Sequence, residues 1–168
     1  LISYTYPTDD ELTKTGVTGL FLGHYLPWDG MSNTLISQAN GFITYDKIVE
    51  GSMVNYENLD NHQTGIHDYF KYLKFGFGRA TDLACIHIRR GRLSREDGVS
   101  IAKNLDGTFP WEYLGKSLKE ILKPLDMTED EFINLCDKYT NKRIFQRDDS
   151  GQLIKNNDLS PIKINYDN

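Results

Sequence analysis

The chain has 168 residues, a net charge of −5 and 39% hydrophobic residues, the size and balance of one globular domain with its own core. No apolar run approaches the roughly 20 residues that a membrane helix needs, and no basic, apolar, small-residue leader pattern occurs. Cys85 and Cys136 are far apart with no CxxC partner, which speaks against a zinc site or a disulfide framework and favours a reducing cytoplasm.

In chain order, the sequence opens on "LISYTYP" rather than on Met, as expected of the distal part of a longer protein. Thr8 followed by Glu11 is a capping box at a helix start, and Gly16 suits the left-handed residue past its end. Val17 to Leu22 is a short apolar run of the kind buried in a parallel sheet, predicting a strand. "GHYLPWD" follows at the strand's carboxyl end, where ligands of open α/β sheets bind, so His24, Trp28 and Asp29 are candidates there. A short helix is predicted over 30–40. Residues 41–61 have no clean period and are read as an irregular connection.

From Gln63 the pattern is helical. Ile66, Phe70, Leu73 and Phe77 form an apolar stripe at spacings of 4, 3 and 4, with His67, Lys71 and Lys74 on the other face. A second helix is predicted from Ala80 to Arg90. Ser94 with Asp97 starts a third, with Val99, Ala102 and Leu105 as its core positions and Gly107 as its end. Leu118, Ile121 and Leu122 mark a fourth, stopped at Pro124. Thr128 and Glu131 box the start of a fifth that carries Phe132, Leu135, Cys136 and Tyr139. From Asp148 the tail is polar and aperiodic, and is expected to be peripheral. The fold class predicted is thus an α/β fragment, a short parallel-sheet edge followed by a predominantly α-helical bundle. Its parts are a distal βα portion of a nucleotide-binding domain (1–40), the connection (41–61), a helical subdomain (62–147) and the tail (148–168).

Residues 71–95 carry seven basic side chains against the single acid Asp82, a local concentration in an acidic chain. Within it, "KFGFGRATD" (74–82) sets Gly76 and Gly78 between two predicted helices. Glycine allows close approach or positive φ, helix amino termini attract anions, and Lys74 and Arg79 flank the start. Arg89, Arg92 and Arg95 follow. The pattern suits a phosphate or pyrophosphate, with Arg offering bidentate geometry; it equally suits a tight interhelical turn with solvated cations. Asp82 is read as a partner for Arg79 or as a charge at the helix start. No GxxxxGK[ST], GxGxxG, GxSxG or HExxH occurs, the four histidines lack metal-ligand spacing, and the net charge argues against nucleic acid.

The blocks "GLFLGHYLPWD", "YENLDNHQTGIHDYFKYLKFGFGRATD" and "IRRGRLSRED" together resemble the carboxyl half of the N-acetyl sugar amidotransferases, enzymes of surface-polysaccharide synthesis related to the PP-loop ATP pyrophosphatases. The resemblance covers most of residues 5–140 and is most specific over 67–97. It implies conversion of an acetamido to an acetamidino group on a nucleotide-linked or free N-acetyl sugar. ATP with Mg would activate the amide oxygen as an adenylate, and ammonia would come from a glutaminase and cyclase-like pair of partners. It also implies that the SGGxDS-type loop, absent from these residues, belongs to an amino half, so that this portion does not turn over alone.

Carried over by the resemblance, Lys74 and Arg79 would meet pyrophosphate, beside the Gly76 and Gly78 that the spacing already singles out as phosphate-binding candidates. Trp28, Asp29, Asp82, Arg89 and Arg95 would meet nucleotide or substrate, and no catalytic residue or metal ligand is assigned. Leu83 and His87 stand where the family leads one to expect His and Asp. A second reading of the same features is a non-catalytic module that docks the ammonia-supplying partner through its basic segment.

Overall fold

The structure, a computed structural model, describes residues 4–165; the outermost parts of the opening stretch and of the tail lie outside the described residues. The chain divides into two compact units, one ending at Phe42 and one beginning at Ile43. Among the described residues it is mostly helical, with one two-stranded antiparallel sheet.

The first unit holds α1 (Asp9–Thr15), α2 (Leu22–Tyr25) and α3 (Gly30–Ala39). The Thr8–Glu11 capping box forms as predicted, and Gly16, at φ 66°, closes α1 in the left-handed conformation. The strand predicted at Val17 to Leu22 does not form: residues 17–21 have no regular structure and Leu22 opens α2. An isolated strand leaves a row of backbone amides and carbonyls unpaired, so it needs a neighbour, and the only sheet among the described residues lies elsewhere. Val17, Leu20 and Phe21 are exposed by 70–90%. The helix predicted over 30–40 is present as α3. Asp29 is its cap, accepting from the Met31 amide at 3.0 Å and the Ser32 amide at 3.4 Å.

The second unit begins with residues 43–61, which have neither helix nor strand but are well tied. The Tyr45 amide donates to Asn55 O and the Val49 amide to Val54 O, and Val49 and Val54 are buried. Then come α4 (Thr64–Phe75), α5 (Arg79–Arg89), α6 (Arg95–Leu105), the hairpin β1 (Glu112–Tyr113) and β2 (Lys116–Ser117), α7 (Leu118–Leu122) continued by a 3-10 turn, and α8 (Glu129–Tyr139). The predicted helix starts at Ser94 and Thr128 are caps in the structure. The main core gathers Tyr69, Tyr72, Leu73, Phe109, Leu118, Leu122, Phe132, Cys136 and Phe145; burial drives the Cys136 thiol up to about 12.

Two predicted faces are turned. In α4 the buried positions are Gly65, Tyr69, Tyr72 and Leu73, whereas Ile66 and Phe70 only flank the core and Phe77 is 40% exposed. Tyrosine brings a large apolar ring whose hydroxyl needs only one partner, so counting Tyr69 and Tyr72 as polar misplaces the stripe by about one residue. In α6 the expected core residue Val99 is 41% exposed and Gly98 is the buried one. A Cβ at Gly98 would meet Ile88 Cδ1 at 2.7 Å, so the Ile88 side chain of α5 packs over the glycine and would have to shift to admit a larger residue.

The tail is not peripheral. Gln146 and Ile162, Ile154 and Gln146, and Ile162 and Ile154 are joined by backbone hydrogen bonds of 2.8–3.0 Å. Leu153 and Leu159 pack on the core. Its turns are closed by Asp148, which accepts from the Ser150 and Gln152 amides, and by Asp158, which accepts from the Ser160 amide, the local side-chain bonding that "DDSG" and "NDLS" encode. Arg147 anchors this fold-back: it donates to Gly151 O at 2.9 Å and to the α8-terminal carbonyls of Asp137 and Thr140 at 3.1 and 3.3 Å. Arg147→Met keeps the stem and removes these donors. It is expected to lower the unfolding free energy by about 2 kcal/mol, read by urea denaturation.

Candidate functional site

The corner between α4 and α5 holds the predicted anion-binding stretch, and much of its backbone is bonded from within the protein. At the α4 end, Gly76 adopts φ 77° and its amide donates to Tyr72 O at 2.7 Å. The next carbonyls are taken by the turn at 141: Asn141 donates its backbone amide to Leu73 O and its Nδ2 to Lys74 O, both at 2.9 Å. Lys163 Nζ donates to Gly76 O at 2.6 Å.

At the α5 end the ligand is a carboxylate of the same chain. Asp106, just past α6, accepts from the Gly78 amide at 2.8 Å, from the Thr81 amide at 3.4 Å and from the Thr81 hydroxyl. A Cβ at position 78 would lie 2.6 Å from Asp106 Oδ1. The glycine therefore permits the close approach anticipated from sequence, but the group that approaches is internal. A negative charge at this helix start is favoured by its free amides and dipole, and Asp106 supplies it.

Arg79 is likewise engaged. Its Nε and Nη2 donate to the two oxygens of Asp68 at 2.5 and 2.9 Å, Glu57 lies at 3.8 Å, and Asn58, with its amide oxygen turned inward, accepts from Nη1 at 2.9 Å. The hydrogen bond to Asp68 holds the guanidinium above its usual pKa, against the opposing effect of burial. Asp82 is the acid in the first turn of α5, one of its two expected roles, and its ion-pair partner is Lys71 rather than Arg79. Two ion pairs, Asp68 with Arg79 and Lys71 with Asp82, thus tie α4 to α5. Beneath them lies a cavity of about 30 Å³ lined among others by Glu50, Asp68, Arg79, Asp106, Glu112 and Tyr113. Its acceptors suit a water or a small donor rather than a phosphate.

The remaining predicted positions are dispersed. Lys74 is exposed. Arg89 ends α5 and Arg95 opens α6, and the helix rise places Arg89 about 15 Å along the axis from Arg79. Leu83 and His87, one turn apart, are both buried on the inner face of α5, so the departure from the expected His and Asp concerns packing beneath the helix and not its exposed face. Trp28 (75% exposed) and the buried Asp29 belong to the first unit, where Asp29 caps α3 and His24 stacks edgewise on Tyr25. Asp68, Asp106, Glu57 and Asn58 were not singled out from sequence. Asp68 lies 11 residues from Arg79, Glu57 and Asn58 lie further back, and Asp106 lies 28 residues from Gly78. No local pattern operates over such separations.

Among the described residues no cluster of His, Cys, Asp and Glu could hold a metal ion, and no helix is long and apolar enough to cross a membrane. Residues 50–158, which include the whole α4–α5 corner and Asp106, match the family described as LPS biosynthesis protein WbpG-like, C-terminal domain. No curated protein matches the chain. The match extends over more than half of the sequence, and the chain belongs to this WbpG-like family of LPS biosynthesis proteins through the family's carboxyl-terminal domain.

Proposed function

We propose that the chain provides the carboxyl-terminal domain of an ATP-dependent amidotransferase that converts the N-acetyl group of a sugar to an acetamidino group during surface-glycan synthesis in the cytoplasm. The observation that carries this reading is membership in an LPS biosynthesis family over residues 50–158, a range that contains the sequence block 67–97 on which the amidotransferase resemblance is strongest. A glutaminase and cyclase-like pair would deliver the ammonia.

The residues of the corner do not fit a triphosphate with Mg. The Gly78 and Thr81 amides are held by Asp106, Arg79 is held by Asp68, and Glu50, Asp68, Asp106 and Glu112 are among the residues that line the adjoining cavity. No step through ATP is therefore assigned to them. In this proposal Arg79, Asp68 and Asp106 fix the corner as scaffold, Arg89 and Arg95 remain as exposed cations for substrate phosphate, and Trp28 is the exposed ring for nucleotide or sugar in the first unit.

The self-satisfied corner also favours the second reading, a domain that docks the ammonia-supplying partner without chemistry of its own. The full-length protein should release AMP and pyrophosphate when given ATP, ammonium and a nucleotide-linked N-acetyl sugar, while the present chain stays at background. Release by the chain alone would overturn the assignment of chemistry to the rest of the protein. Absence of AMP from the full-length protein, together with stimulation of a glutaminase by the chain, would replace the enzyme reading with the docking one.

A further inference from the structure

On the outer face of the α4–α5 corner, His67, Phe70, Lys71, Lys74, Phe75 and Phe77 line an open groove of about 370 Å³. Every residue that lines it is aromatic or basic, in a chain whose net charge is −5. Phe75 and Phe77 are 61% and 40% exposed, side by side with ring centroids 6.2 Å apart. Lys71 Nζ lies 4.8 Å from the centroid of Phe77 and Lys74 Nζ 6.0 Å from that of Phe70. Asp82 bonds Lys71 from α5, and Asp68, beside His67, is taken up by Arg79. The 141 turn, fastened to α4 by Asn141, adds exposed Lys142 at the same corner, and Lys163 reaches it through Gly76 O.

Phe75 is turned to solvent outside the core, and Phe77 keeps 40% of its surface exposed while its ring lies against Lys71. We propose that this corner is a docking surface for an anionic lipid bilayer, with Phe75 and Phe77 entering the interface and Lys74 and Lys142 meeting the phosphates. The complementarity is of two kinds. Phenylalanines beside a basic surface enter the boundary between headgroups and acyl chains as apolar groups, and basic side chains near an anionic leaflet each strengthen binding by about fivefold. The carbonyls of Lys74 and Gly76 are capped by Asn141 and Lys163, which lowers the backbone ordering cost of presenting both phenylalanines. The inference stands on the groove alone and does not require the amidotransferase reading.

The test is flotation of the whole chain with vesicles of phosphatidylcholine alone or of phosphatidylcholine mixed with phosphatidylglycerol. Binding is expected only to the anionic vesicles, to fall as salt rises, and to drop at least tenfold in Phe75→Ser/Phe77→Ser. Since both rings are exposed, that variant should keep the wild-type melting temperature; should it not, Lys74→Glu/Lys142→Glu carries the same test through charge. No partitioning into anionic vesicles, or partitioning unchanged in both variants, would overturn the proposal. Displacement from the vesicles by a millimolar free nucleoside diphosphate would also overturn it, giving the groove to a small ligand.

Discussion

Arg79→Ala is expected to lower the unfolding free energy by about 3 kcal/mol, the scale for removing one partner of a largely buried ion pair, and so to drop the melting temperature by roughly 6–12 °C in a domain of this size. The side chain of Arg79 is 24% exposed and that of Asp68 is 13% exposed. Truncating the guanidinium strands the Asp68 carboxylate at the mouth of an already acidic cavity and frees Asn58 and Glu57 from the corner. The order of severity expected is Ala, then Lys, which keeps the charge but loses the two-pronged contact. Asp68→Leu combined with Arg79→Met should recover part of the loss, with a coupling energy of about 2 kcal/mol in the double-mutant cycle.

The alkaline pH dependence is fixed by sign. The folded Arg79 is raised above its ordinary value by the hydrogen bond to Asp68, so its contribution is fully present below that ordinary value and is lost only as pH climbs past the folded one. Between neutrality and pH 10 the effect of Arg79→Ala should therefore be constant. A loss below about 1 kcal/mol would return Arg79 to the class of solvated cations, the outcome expected for exposed Lys74→Ala.

What the sequence disclosed about this protein followed the range of the interactions. Capping boxes at Thr8 and Thr128, the cap at Ser94 and the glycine end at Gly16 are determined within a helical turn, and each lies where the pattern placed it. The face of α4 was misplaced because Tyr69 and Tyr72 bury their rings. The strand at Val17 to Leu22 was misplaced because an apolar run states a preference for extension but cannot supply the neighbour that makes it a strand. The tail was undervalued because its turns are built by aspartates, which lower mean hydropathy while organising the chain.

At the corner, residue types pointed to an anion seated on glycine and helix amides. The anion is there, and it is Asp106. Sequence chemistry identified the seat and lacked only the contact, remote along the chain, that fills it.

Asp106→Ala tests that account directly. The substitution removes the acceptor of the Gly78 amide, the Thr81 amide and the Thr81 hydroxyl, leaving donors at the start of α5 without their partner. A cost of about 3 kcal/mol is expected, each stranded donor being worth roughly 1–3 kcal/mol when desolvated, with the lower end applying where water enters. The space left by the carboxylate is then an anion seat at a helix start, with the narrow approach at Gly78 open. Phosphate at tens of millimolar should therefore restore part of the lost stability in Asp106→Ala while leaving the wild type little changed. The general stabilising action of phosphate through exclusion from protein surfaces is subtracted by comparing both proteins in sucrose. Asp106→Asn, which keeps one acceptor oxygen, should fall between the two in stability and gain less from phosphate. If the wild type gains as much from phosphate as Asp106→Ala does, the seat is not occupied by Asp106 and the corner takes its anion from solution. If Asp106→Ala melts with the wild type, the carboxylate is not what holds α5 to the end of α6.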